Sequence, residues 1–179
     1  MSASFDTAAV EVWMAAHVPG FRGPISVEKF ATGQSNPTFK LTAASGTYVL
    51  RRKPPGQLLK SAHAVDREYR VQCALEGSDV PVARMYALCE DEAMIGSMFY
   101  VMDHVLGRTF VDPRLPGVAP EDRREIFDDL NRVLAAIHSV DLSAAGLLDY
   151  GPQGNYFKRQ IDRWTKQYRA TETDPVPDM

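Results

Sequence analysis

Residues 38–52, TFKLTA-ASG-TYVLRR, decide the fold. Two runs rich in Thr, Phe, Leu, Tyr and Val flank the tight turn Ala44-Ser45-Gly46, which predicts two strands closed into a hairpin. Just upstream, ISVEKF (25–30) is a third strand-like run, joined to the hairpin by the loop ATGQSNP (31–37), so a three-strand antiparallel meander is expected. Downstream, KPPGQLL (53–59) carries two adjacent prolines, which supply no ladder donors; it reads as a loop crossing to the next element.

Working outward, AHAVDREYRVQCALE (62–76) has good helix propensity, with Gly77 as its C-terminal signal and Pro81 beyond it. VARMYALCE (82–90) and SMFYVMDHV (97–105) read as two more strands around the acidic turn EDEAMIG. Before the meander, residues 6–18 place Val10, Trp13, Met14 and His17 at helical spacing behind an Asp6 cap, and Pro19-Gly20 ends the pattern. After it, Ile126, Leu130, Val133, Leu134 and Ile137 recur at helical spacing from Pro120, with Glu121 and Asp122 suited to the positive helix start. Residues 154–170 form another amphipathic stretch, with Phe157, Ile161, Trp164 and Tyr168 on one side, and the closing TETDPVPDM is polar and proline-broken.

The 179 residues suffice for one large domain or two small lobes. With 45% hydrophobic and 24% charged residues the composition is that of a folded globular protein, which excludes wholesale disorder. Twenty Lys and Arg against 23 Asp and Glu give a net charge of −3, so nucleic acid is not an expected partner. No run reaches the roughly 18 apolar residues of a membrane span, and MSASFDTAAVEVW lacks the basic-then-apolar pattern of a signal peptide; a cytoplasmic location is the expectation. Cys73 and Cys89 have no metal-ligand spacing and read as reduced, partly buried thiols.

Three places could carry chemistry. The loop ATGQSNPTF offers Gly33, Ser35, Asn36 and Thr38, small residues that let an anionic ligand approach closely, although an ordinary hairpin loop has the same composition. On the helix over 62–76, Glu68 falls between Val71 and Leu75 on one side and Val65 on the other, while Asp66, Arg67 and Arg70 point away. A carboxylate in an apolar wedge requires a cation, and Arg51 and Arg52 at the end of the third strand are the candidates; the pair could equally be purely structural. Third, FYVMDHVLG loses its apolar character at Asp103-His104 and exits through Gly107, a junction suited either to a cleft or to a plain linker. His104 reads as a bystander there, and His138 as a charge at a helix C-terminus.

Taken in order, GQSNPTF, YVLRRKPPG, DREYRVQCAL, YVMDHVLGRTF and LNRVLAAIHSVD resemble the aminoglycoside phosphotransferase family of kinase-like enzymes, in a subgroup similar to the amino-terminal kinase-like domain of acyl-CoA dehydrogenase 10/11-type proteins. The resemblance runs from about Glu28 to Tyr168. It implies an α+β fold: a kinase-like amino-terminal lobe over 1–105, with a five-stranded antiparallel sheet plus helix, then a hinge exit and the first helices of a helical second lobe over 106–179. It implies ATP and Mg2+ as cofactors and a small-molecule hydroxyl as acceptor, with a hydroxyacyl-CoA or related acyl compound suggested by the subgroup. Gly33, Gln34, Ser35, Asn36 and Thr38 would lie over the phosphates. Arg51, with Arg52 in reserve, would stand where the family has its third-strand basic residue, and Glu68 would be its helix partner. Met102 would shape the adenine pocket, and the main chain of Asp103 and Val105 would read the adenine edge.

One part of the family pattern does not occur in these residues: the catalytic loop H-G-D-x-x-x-x-N and the metal-binding aspartate that follows it. The chain therefore reads as the first half of such an enzyme, with its catalytic groups and metal ligands elsewhere. A non-catalytic nucleotide-binding or interaction module is the alternative, and the oligomeric state is not legible.

Overall fold

The computed structural model describes residues 5–31, 35–54, 63–152 and 154–173. Its elements follow the expected order: α1 (Thr7–His17), β1 (Ser26–Lys29), β2 (Thr38–Ala43), β3 (Gly46–Arg52), α2 (Val65–Leu75), β4 (Met85–Cys89), β5 (Phe99–Asp103), α3 (Pro120–His138) and α4 (Tyr156–Thr171). The five strands form one sheet in the order β1-β2-β3-β5-β4, with every neighbouring pair antiparallel. The hairpin closes as the sequence requires, with Ala43 opposite Gly46, whose φ of +142° suits a residue without a Cβ. β4 starts at Met85, later than the strand-like run suggests, and its pairing with β5 is irregular between Met85 and Ala87.

Period-two alternation gives the sheet two different faces. Phe39 and Leu41, Tyr48 and Leu50, and Phe99 and Val101 point to one side, where α1 lays Val10, Trp13 and Met14 across them. The Trp13 and Phe99 rings meet edge to face at 4.8 Å. Asp6 caps this helix by accepting hydrogen bonds from the amides of Ala8 and Ala9 at 2.9 and 3.2 Å. His17, which the helical spacing grouped with the core residues, is instead exposed: its ring stacks on Trp13 and its Nδ1 lies 2.8 Å from the Trp13 carbonyl oxygen.

On the opposite face α2 covers only part of the sheet. Val65, Met85 and Tyr100 are buried there, with Tyr69, Cys73, Met98 and Met102 packed around them. Asp66, Arg67 and Arg70 lie on the exposed side of α2, as the helical wheel requires. Cys73 and Cys89 are free thiols, and burial pushes the pKa of both up.

The chain divides into two compact units, residues 1–140 and 141–179. In the first, α3 begins with Pro120 at its amino end and with Glu121 and Asp122 in its first turn; its apolar stripe, Phe127, Leu130, Leu134 and Ile137, is exposed. In the second, α4 carries a Lys158–Asp162 ion pair at 2.9 Å and leaves Phe157, Ile161 and Trp164 exposed.

Candidate functional site

Arg51 sits mid-sheet, opposite Thr38 on β2 and Tyr100 on β5, and the three residues therefore share a face. That face is the one α2 partly covers, and the helix brings Glu68 onto it. The expected ion pair is present: Arg51 Nε donates to Glu68 Oε2 at 2.7 Å and Nη2 to Oε1 at 3.4 Å. Glu68 also accepts from Asn36 Nδ2 at 2.8 Å and from the Tyr100 hydroxyl at 3.2 Å. The bond to Glu68 raises the Arg51 pKa, and burial, reinforced by the Glu68 charge, pushes the Tyr100 phenol up to about 12.

Arg52, one residue on, points to the other face, as strand geometry dictates. It is buried against Ser97, whose Oγ accepts from its Nε at 2.9 Å, and its guanidinium lies 5.8 Å from the Phe5 ring centroid. Burial lowers its pKa. Of the two candidate cations, Arg51 is the one beside Glu68.

Next to this pair lies an open cleft of 620 Å³, floored by Thr38, Val49, Arg51 and Met102 and bounded by the chain leaving β5. Met102, Asp103 and Val105 all line it. The Asp103 amide donates to the Arg84 carbonyl at 2.9 Å, and its carboxylate accepts from the Tyr86 hydroxyl, so this end of β5 is tied to β4 and the residue before it. The Val105 amide has no backbone acceptor among the described residues. An unpaired donor on the wall of a cleft can read a planar ligand edge.

The profile of the phosphotransferase enzyme family matches residues 26–179. The chain belongs to that family. It is 50% identical over 182 residues to an Arabidopsis thaliana protein named "Probable acyl-CoA dehydrogenase IBR3", covering 97% of this chain and 22% of the plant protein. It is 45% identical to acyl-CoA dehydrogenase family member 11 of Rattus norvegicus, covering 98% of this chain and 23% of that one. A crystal structure of a "putative aminoglycoside phosphotransferase" from Ralstonia eutropha superimposes with a TM-score of 0.82 at 58% identity, over 97% of this chain and 50% of its own. The chain thus spans about half the length of that solved protein and under a quarter of these curated relatives. Its five-stranded antiparallel sheet and helices are a kinase-like phosphotransferase fold.

Within this phosphotransferase fold the remaining sequence candidates separate. Gly33 and Gln34 lie outside the described residues, and Ser35 is exposed. Asn36 is 2% exposed, far from a loop side chain open to a ligand. Its amide nitrogen is bound to Glu68, and its Oδ1 lies 2.9 Å from His63 Nδ1. Thr38 is the first residue of β2 rather than part of the loop, and its hydroxyl accepts from Arg51 Nη1 at 3.0 Å.

Sequence reasoning passed over Tyr100, Gln72, His63 and Phe30. Tyr100 shares strand parity with Met102, so alternation along β5 could have flagged it; Gln72 follows Glu68 by one helical turn and donates to the Tyr100 hydroxyl at 3.3 Å. Phe30 lines the cleft with its ring stacked on His104, centroids 6.3 Å apart, and no local signal announces that pairing. Among the described residues no group of three or more His, Cys, Asp and Glu could hold a metal ion, and no helix is long and apolar enough to cross a membrane.

Proposed function

We propose that this chain supplies the nucleotide-binding lobe, residues 1–105, and the start of the second lobe, 106–179, of an ATP-dependent phosphotransferase that moves the γ-phosphate to a hydroxyl of a small molecule. The observation that carries this reading is Arg51, held by Glu68, on the floor of a cleft whose wall carries a main-chain donor with no backbone acceptor among the described residues, in a phosphotransferase-family chain. Arg51 offers a fixed positive charge to phosphate oxygens, and Glu68 orients it. Met102 and the Asp103–Val105 main chain would take the adenine, and Gly33, Gln34 and Ser35 would approach the phosphates, with buried Asn36 anchoring their loop to Glu68. Phosphoryl transfer depends on positioning and on neutralising charge, and a bound Mg2+ supplies part of the latter. The part we assign to the residues of this lobe is to hold and orient the nucleotide. The relatives named as acyl-CoA dehydrogenases favour a hydroxyacyl-CoA or related acyl compound as acceptor.

Calorimetric ATP titration and ATP-dependent phosphorylation of hydroxyacyl-CoA by the full-length protein test this directly. Arg51→Ala is expected to weaken ATP binding roughly tenfold or more, the value of one charge-assisted contact, with Arg70→Ala close to wild type. Equal effects of the two would remove Arg51 from the phosphate site. ATP binding without turnover on any hydroxyl acceptor would favour the non-catalytic nucleotide-binding module.

A further inference from the structure

The Arg51 guanidinium is nearly saturated by the protein itself. Nε and Nη2 donate to Glu68, and Nη1 donates to Thr38 Oγ1 at 3.0 Å and, at 3.5 Å, to the Asn36 carbonyl oxygen. Of its N–H groups, one on Nη2 has no acceptor among the described residues. Thr38 is itself oriented, because its hydroxyl proton goes to the Asn36 carbonyl oxygen at 3.0 Å, which turns an oxygen lone pair towards Nη1. Its place in the sheet is fixed by pairing opposite Arg51.

We infer that Thr38 is a positioning residue: with Glu68 on the other edge, its hydroxyl holds the plane of the Arg51 guanidinium and slows its flip about Nε–Cζ, so that an anionic oxygen in the cleft meets the Nη2 edge in a set direction. Glu68 holds Nε firmly at 2.7 Å and Nη2 only weakly at 3.4 Å, and it leaves Nη1 to other acceptors. Thr38 holds the opposite nitrogen, and the two contacts together remove the freedom that a long cationic side chain would otherwise lose on binding. A lysine at position 51 could not make this arrangement, because one ammonium cannot present a planar fork to acceptors on two elements. The role of Thr38 towards nucleotide rests on the function proposed above, whereas its hold on Arg51 can be measured without nucleotide.

The test uses the full-length protein with wild-type, T38V and T38S chains, since valine keeps the branched shape without the hydroxyl and serine restores the hydroxyl. Nitrogen-15 NMR of labelled arginine side chains is expected to show distinct Arg51 Nη1 and Nη2 signals in wild type and T38S, merged by rotation in T38V. Persistence of separate signals in T38V would overturn the positioning role. In kinetics, T38V is expected to raise KM for ATP roughly tenfold, as for one lost bond to a charged group, and to leave KM for the acceptor unchanged. Its Tm should move by less than about 2 °C, since the shape is conserved, and T38S should return KM for ATP to the wild-type value. An unchanged ATP KM in T38V, or failure of T38S to restore it, would reduce Thr38 to a strand residue. A wild-type protein that neither binds nor turns over ATP would instead overturn the proposed function, and the NMR signals would still decide whether Thr38 holds Arg51.

Discussion

Glu68→Ala is expected to destabilise the protein by about 3 kcal/mol, nearly all of it from donors left without an acceptor. The carboxylate accepts from Arg51, Asn36 and Tyr100 at 2.7, 2.8 and 3.2 Å. Asn36 is 2% exposed, so stranding its amide costs about 1–3 kcal/mol. The Arg51–Glu68 side chains are 27% and 34% exposed, and solvent screening limits the ion pair to about 1 kcal/mol. Tyr100 is 1% exposed and its hydroxyl proton also loses its acceptor, since Gln72 donates to that oxygen; this bond is the longest of the three, so its share is smaller. Glu76→Ala, at the exposed C-cap of the same helix, is the comparison and should stay within about 0.5 kcal/mol of wild type. Urea unfolding followed by far-UV circular dichroism measures both differences. A Glu68→Ala shift below about 1 kcal/mol, or one equal to that of Glu76→Ala, would refute the view that this carboxylate ties the loop before β2 to the helix and the sheet.

Two further outcomes follow from the same geometry. Burial pushes Tyr69, Tyr86 and Tyr100 from 10.0 up to about 12, so the unfolded chain loses these protons first; the stability they contribute is complete below about pH 10 and is lost as pH rises towards 12. Titrating the phenolate absorbance of the native protein should show a late phase that Tyr100→Phe diminishes, and no late phase at all would contradict the burial of these rings. At the cleft, His104→Ala should leave ATP affinity within about threefold of wild type, since less than 1 kcal/mol is at stake where main chain rather than imidazole reads the base. Loss of ATP binding in calorimetry would show that the His104–Phe30 stack shapes the site.

The strands, helices and cap were legible in the sequence because each depends on near neighbours. TFKLTA coincides with β2, Asp6 stands one residue before α1, and Pro120 opens α3. The Arg51–Glu68 pair was also legible, since an acid in the apolar wedge of a helix demands a cation and few were within reach. Sequence could not choose between Arg51 and Arg52, because strand alternation separates two faces without saying which one α2 will cover. That choice is made by α2, which packs on the face Arg51 shares with Tyr100 and leaves Arg52 on the other face with Ser97 and Phe5. Asn36, in a loop whose composition suggests exposure, is buried for the same reason: its partners Glu68 and His63 lie about thirty residues away along the chain, and only non-local packing brings them to it.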